Sequence, residues 1–173
     1  MKLLKLHSSK DKPTFEELVK TYQQPIYWHI RRMVVCHDDA ADVLQETFIK
    51  VFQGLGTLQK TDSVKAWIYR IATNEAIRFL SKMREKPLSD LEESESLIGK
   101  LMDSDYVNFD DRMAVDFQKA ILTLTEQQRT VFNLRYYDDL SYEEISEITG
   151  SSVNTLKVAY HNAKEKIKEY MTK

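Results

Sequence analysis

The stretch from Leu140 to Ile167, LSYEEISEITGSSVNTLKVAYHNAKEKI, constrains the fold of this chain more than any other. Ser141 followed by Glu144 has the spacing of a capping box, which starts a helix by satisfying two of its orphan N–H groups. Ile145 and Ile148 fall on one side of that helix. Gly150 is placed to end it, because glycine takes a positive φ without a Cβ clash. Ser151 or Ser152 then caps a second, longer helix, whose inner face carries Val153, Leu156, Ala163 and Ile167. Helix, glycine turn and capped second helix is the sequence form of a helix-turn-helix, in which the second helix enters the DNA major groove. A plain helical hairpin closing a bundle has the same pattern, so the rest of the chain must decide.

The remaining sequence is also helical in character. Only four glycines and three prolines interrupt 173 residues, so an all-α fold is expected, as one domain or two small ones. A single cysteine excludes an internal disulfide and suits a reducing compartment. No apolar run approaches the roughly 20 residues that span a bilayer, so no membrane insertion is expected. The opening MKLLKLHSSK lacks the apolar core of a signal peptide and reads as a short arm.

The net charge of −2 conceals a segregation. Residues 1–86 hold 15 Lys/Arg against 10 Asp/Glu, residues 87–111 one lysine against eight acids, and residues 112–173 nine of each. Segregated charge lets a chain that is acidic overall bind nucleic acid through one part. The expected organisation is therefore two small helical domains, 1–86 and 112–173, joined by an acidic linker over 87–111.

Taken in order, Thr14 and Glu17 form a capping box for a first helix, with Phe15, Leu18, Val19, Tyr22, Ile26, Ile30, Met33 and Val34 in helical period and a bend expected at Pro25. A second helix is expected over about Asp39 to Gln53. Its apolar set is Ala41, Leu44, Phe48, Val51 and Phe52, read as inward, with Asp42, Gln45, Glu46, Ile49, Lys50 and Gln53 outward. A loop with Gly54 and Gly56 ends at Asp62 or Ser63 as a cap for a third helix to about Arg84. On that helix Arg70, Asn74, Arg78 and Lys82 recur every four residues and form one outward row. Three cations and an amide suit a phosphate backbone with a base contact, although a solvated helix face has the same composition. The segment 87–111 shows little periodicity and reads as a connector without firm structure, although Ser89 and Glu92 could cap a short helix in it. Helices resume at Asp111, with Met113, Val115, Phe117, Ala120, Ile121 and Leu124. Thr125 and Gln128 then box the next helix, which buries Val131, Phe132 and Leu134.

No catalytic constellation is present: there is no phosphate-binding glycine loop and no nucleophile elbow. His29, Cys36 and His37 are the only metal-type cluster, and no fourth ligand has suitable spacing, so no metal or cofactor is expected. A surface histidine beside a buried cysteine is the expectation there. The acidic pairs, Asp138-Asp139 among them, read as capping or solvated residues.

Three stretches carry a resemblance. DDAADVLQETFIKVF (Asp38–Phe52), AWIYRIATNEAIRFL (Ala66–Leu80) and LTEQQRTVFNLRYYDDLSYEEISEITGSSVNTLK (Leu124–Lys157) resemble, in order, three parts of a bacterial sigma factor. These are the polymerase-binding helix, the minus-ten-reading helix and the minus-thirty-five-reading domain of the extracytoplasmic-function group of the sigma-70 family. The resemblance implies a transcription initiation factor, not an enzyme. It would act in the cytoplasm, bind core RNA polymerase at the beta-prime clamp helices and the beta flap, and direct it to promoter DNA. An anti-sigma factor is a further partner class.

By resemblance, Asp39, Asp42, Gln45, Glu46 and Lys50 would face the polymerase. The loop Leu55–Ser63 would hold a flipped base, at an unstacking cost of a few kcal/mol. Arg70, Asn74, Arg78 and Lys82 would lie along the minus-ten region. The acidic linker would thread the RNA exit path, or serve only as a tether. The second helix of the helix-turn-helix carries no arginine, the residue that most often reads guanine. Its contact set is then Ser151, Ser152, Asn154, Thr155, Lys157, Tyr160, His161 and Lys164. Trp67 is expected to pack in the core rather than stack on a base. The alternative function is a stand-alone helix-turn-helix regulator, which would carry a sensing domain in place of residues 1–86.

Overall fold

The computed structural model describes residues 12–59, 63–83, 90–102, 108 and 110–173. Among these residues the chain is all-α. Its helices are α1 (Phe15–Val34), α2 (His37–Gly54), α3 (Val64–Met83), α4 (Asp90–Met102), α5 (Arg112–Leu122), α6 (Glu126–Tyr136), α7 (Tyr142–Thr149) and α8 (Val153–Met171), with a 3-10 turn at Leu55–Thr57.

Local chemistry accounts for most helix starts. Capping boxes form at Thr14/Glu17, Thr125/Gln128 and Ser141/Glu144, and Ser152 accepts from the Thr155 N–H at the head of α8. Ser63 Oγ accepts from the Ala66 N–H at 3.2 Å. Asp62, the other expected cap, lies outside the described residues, as does Ser89. Gly150 closes α7 at φ 74, where a Cβ would be strained. Pro25 is exposed and interior to α1, which continues through it to Val34.

Helices α1, α2 and α3 pack together at one end and α5, α6 and α8 at the other, with α7 between α3 and α8. The apolar core is shared rather than split. One cluster holds Ile26 and Ile30 of α1, Ile68 and Ala72 of α3, Leu134 of α6, Ile145 and Ile148 of α7 and Leu156 of α8. A smaller cluster, Ala120, Ile121, Leu124, Phe132, Ala163 and Ile167, joins α5, α6 and α8.

Several expectations need correction. Residues 90–102, read as part of an irregular connector, form α4. Its Leu97 and Leu101 are buried with Ile98 beside them, a spacing of three and four that one helix face supplies. On α2 the buried residues are Ala40, Val43, Thr47 and Val51, while Ala41 is exposed and Phe52 is 64% exposed. The inner face is thus turned by one residue, about 100°, from the expected one. Cys36 is only half-buried where a buried cysteine is expected; His37 beside it is exposed, and His29 is fully buried. Met83 and Met113, although in helical period with the apolar residues of α3 and α5, are exposed.

Candidate nucleic-acid and protein interfaces

The expected DNA contact set falls on one side of α8. Ser152, Asn154, Thr155, Lys157, His161 and Lys164 are exposed, and Leu156, Ala159, Ala163 and Ile167 hold the opposite side in the core. Ser151 is half-buried, with its carbonyl accepting from Ser146 Oγ at 2.7 Å. Ser152 and Thr155 hydroxyls pair at 2.8 Å, so the N-terminal turn is held rigid where it would meet DNA. Tyr160 is different. Its ring stacks on Phe132 at 5.9 Å and meets Tyr142 edge-on at 6.3 Å, and burial raises its phenol above the ordinary tyrosine range. It is a packing residue with a polar edge more than a free contact. Lys157 lies 5.8 Å from the Tyr142 ring and Lys164 5.0 Å from the Tyr160 ring, so an aromatic ledge flanks the two lysines.

The α3 row is also exposed as expected: Arg70, Asn74, Arg78 and Lys82 all face solvent. Glu75, which the sequence places beside this row, is buried instead. It pairs with Arg78 Nη2 at 3.1 Å and with Lys50 of α2. One carboxylate therefore draws two cations together and lowers the field of the row at its middle. Trp67 is half-buried and covers Gly54, where an added Cβ would lie 3.0 Å from the indole. The core role expected for Trp67 fits that contact. Of the loop Leu55–Ser63, residues 60–62 lie outside the described residues. Its first turn is fastened by Thr57 Oγ1 donating to the Gly54 carbonyl at 2.7 Å and Lys12 Nζ donating to the Gly56 carbonyl at 3.3 Å.

The five α2 residues assigned to the polymerase lie on one side of the helix but have different neighbours. Asp42 and Glu46 line a cleft of about 250 Å³ together with Arg78 and Lys82 of α3. Asp39 pairs with Lys100 of α4 at 3.1 Å, and Lys50 is turned to Glu75. Gln45 lines a second, larger groove of about 580 Å³ between α1 and α2. Its other walls include Phe15, Val19, Leu44, Phe48, Ile49 and Phe52. Phe15 meets Phe52 and Phe48 edge-on at 5.2 and 6.4 Å. An apolar groove rimmed by glutamines and left open to water is the form of a protein-docking surface.

Residues 18–85 match the family description "Sigma-70 region 2" and residues 114–167 match "Sigma-70, region 4". RNA polymerase sigma factor SigV of Bacillus subtilis is 30% identical over 168 residues, which cover 95% of this chain and 97% of that protein. The chain belongs to the extracytoplasmic-function group of sigma-70 factors. ECF RNA polymerase sigma factor SigW of Bacillus subtilis is 28% identical over 178 residues, covering 98% of this sigma factor and 95% of SigW. Among solved structures, the sigma factor RpoE of Bartonella quintana, crystallised with the anti-sigma factor NepR, shares the fold. Its TM-score is 0.67 at 24% identity, over 91% of this chain and 96% of that one.

Sequence reasoning missed one polar cluster altogether. Asp138, read as a cap or a solvated acid, sends its carboxylate across to α1 and α3 with a side-chain exposure of 3%. Its Oδ2 lies 3.0 Å from His29 Nδ1 and its Oδ1 3.1 Å from Arg32 Nη2 and 3.4 Å from Tyr69 Oη. A carboxylate only accepts, so His29 Nδ1 carries the proton, while Nε2 pairs with Thr73 Oγ1 at 2.9 Å. Burial first, and the Asp138 charge second, push the Tyr69 phenol far up. Arg129 was likewise missed: it is 1% exposed and reaches Glu93 of α4 at 3.0 Å. Among the described residues no group of three or more metal-binding side chains occurs, and no helix is long and apolar enough to cross a membrane.

Proposed function

We infer that this sigma factor binds core RNA polymerase, directs it to specific promoters and helps open the duplex there. The observation that carries this reading is the pairing of regions 2 and 4, in order, in a chain that spans 97% of a relative named as a sigma factor. A stand-alone regulator would have a sensing domain where region 2 lies. The protein would act in the cytoplasm and catalyse no reaction of its own.

The residue roles follow from the surfaces. The Phe15–Phe48–Phe52 groove with Gln45 is the proposed seat of the beta-prime clamp helices, and Asp42 and Glu46 at its far side would contribute a polar edge. Arg70, Asn74, Arg78 and Lys82 would follow the minus-ten strand, with the cations on phosphates. On α8, Asn154, Thr155, Lys157 and His161 would reach base edges and backbone of the upstream element, with Ser151, Ser152 and Lys164 at the ends of that footprint. The beta flap would receive the helix-turn-helix module. An anti-sigma factor would compete for the same apolar groove, since bare apolar area there attracts any complementary helix. The domain boundaries proposed are 1–86, 87–111 and 112–173.

The decisive experiment adds the purified protein to core RNA polymerase and measures run-off transcription from a promoter library. Promoter-dependent transcripts are expected. Failure to bind the core enzyme at moderate salt overturns the reading.

A further inference from the structure

The exposed residues in the first three turns of α8 are Asn154, Thr155, Lys157, Val158, His161 and Asn162, and all but Val158 are polar. Val158 is 60% exposed. Leu156, Ala159, Ala163 and Ile167 form the buried stripe of the helix. At about 100° per residue, Val158 stands roughly 145° from the middle of that stripe, beside Asn154 and His161. It therefore adds little to the core. Nor does it favour the helix, since a β-branched side chain loses rotamer freedom there and alanine is the better helix former. Single exposed apolar residues are ordinary on a protein surface. This one, however, stands at the centre of a polar face, with Lys157 and Lys164 on its flank, in the part of the helix that would meet base edges. Glu165, two turns further along the same line, is exposed and acidic, and marks the far end of a face that could approach phosphates.

The major groove offers hydrogen-bonding groups at every base pair and one kind of apolar group, the C5 methyl of thymine. A polar face with an aliphatic side chain at its centre matches that inventory. Asn154 has the donor and acceptor that an adenine edge takes, while Val158 offers methyl groups alone. The valine rotamer is largely fixed in a helix, so its methyls are in place before DNA arrives and little side-chain entropy is lost on contact. No arginine is present in α8 to take guanine, which leaves adenine and thymine as the bases this face can discriminate best. Resting on the upstream-element role given to α8 above, we propose that Val158 seats against the C5 methyl of a thymine at one fixed position of that element and selects T·A there over C·G. Cytosine carries only hydrogen at C5 and would leave the valine methyls facing water.

The test uses holoenzyme, formed from core polymerase and the full chain, with a promoter duplex recovered from the run-off library. Each thymine of its upstream element, on either strand, is replaced in turn by deoxyuridine, which deletes the methyl and keeps the hydrogen-bonding edge. At one position affinity is expected to fall about three- to fivefold, the worth of one buried methyl group. Holoenzyme carrying Val158→Ala is expected to bind the thymine and uracil duplexes equally, at the weaker level. Lys157→Ala, which removes a charge and no methyl, is expected to weaken both duplexes and keep their ratio. Should Val158→Ala lose its helical circular dichroism, Val158→Thr, which keeps the shape and exchanges one methyl for a hydroxyl, is expected to shrink the ratio in the same direction. Uracil that is neutral at every position overturns the thymine-methyl contact, as does an upstream element without thymine. A uracil penalty that persists unchanged in a folded Val158 variant overturns it too, because another residue then reads the methyl. Recovery of no promoter at all overturns the sigma reading and the contact with it, whereas neutral uracil on a recovered promoter overturns the contact alone.

Discussion

Helices α2 and α8 each turn one face to solvent, and the two faces are built from different chemistry. The α2 face is apolar: Leu44, Phe48, Ile49 and Phe52, with Phe15 of α1 closing the groove. The α8 face is polar: Asn154, Thr155, Lys157, His161 and Lys164 behind a serine cap. Bare apolar area of that extent gains from being covered by another protein. A polar helix face with lysines and hydrogen-bonding side chains gains from phosphates and base edges. Within one chain, surface chemistry thus separates the side proposed to meet polymerase from the side proposed to meet DNA.

The largest effect should come from the buried side of α8. Leu156 is fully buried, and Leu156→Ala is expected to lower stability by about 2–5 kcal/mol in urea unfolding, because the cavity relaxes only in part. Phe52→Ala is the matching change on the outer side of α2. With the ring 64% exposed, stability should move by no more than about 0.5 kcal/mol, while affinity for core polymerase falls about tenfold or more. A Phe52 variant that unfolds readily but still binds polymerase would erase the contrast between the two helices. Between these in kind lies Gly150→Ala. At φ 74 the new Cβ is strained, and a loss of about 1–2 kcal/mol is expected, read as a lower urea midpoint at unchanged slope.

The same comparison explains what could be read from the sequence. The α8 face was legible because its apolar positions form one stripe, Ser152 caps its start and Gly150 stops the helix before it. The α2 face was misread because two stripes satisfy the helical period. Ala40, Val43, Thr47 and Val51 are small or β-branched and let α1 and α3 approach closely. Leu44, Phe48 and Phe52 are larger, so size suggested that they were inside. A helix with apolar residues on more arc than one core face needs is the available signal for a docking surface. Helix α4 was lost for another reason. Its acidic residues dominate the composition, and its Leu97–Leu101 face is short. The Asp138 cluster and the Lys50–Glu75 pair could not be found by pattern, since the partners of Asp138 are over 60 residues away in sequence and Lys50 belongs to another helix. Long-range ion pairs leave no periodic trace.

The smallest expected effect tests whether the α8 face reads DNA as proposed. Lys157 is exposed, on the second turn of α8, and near the Tyr142 ring, with no carboxylate paired to it among the described residues. If its ammonium meets a phosphate, Lys157→Ala removes one released counterion. Affinity of the holoenzyme for promoter DNA should then fall only a few-fold, and the slope of log K against log salt should become shallower by about 0.9. Asn154→Ala gives the complement, because an amide that reads a base edge carries no counterion. Its loss should change preference among upstream sequences at constant salt slope. A Lys157 variant with an unchanged slope places that lysine off the backbone, and the polar face of α8 would then have to be rotated about its axis to find the phosphate contact.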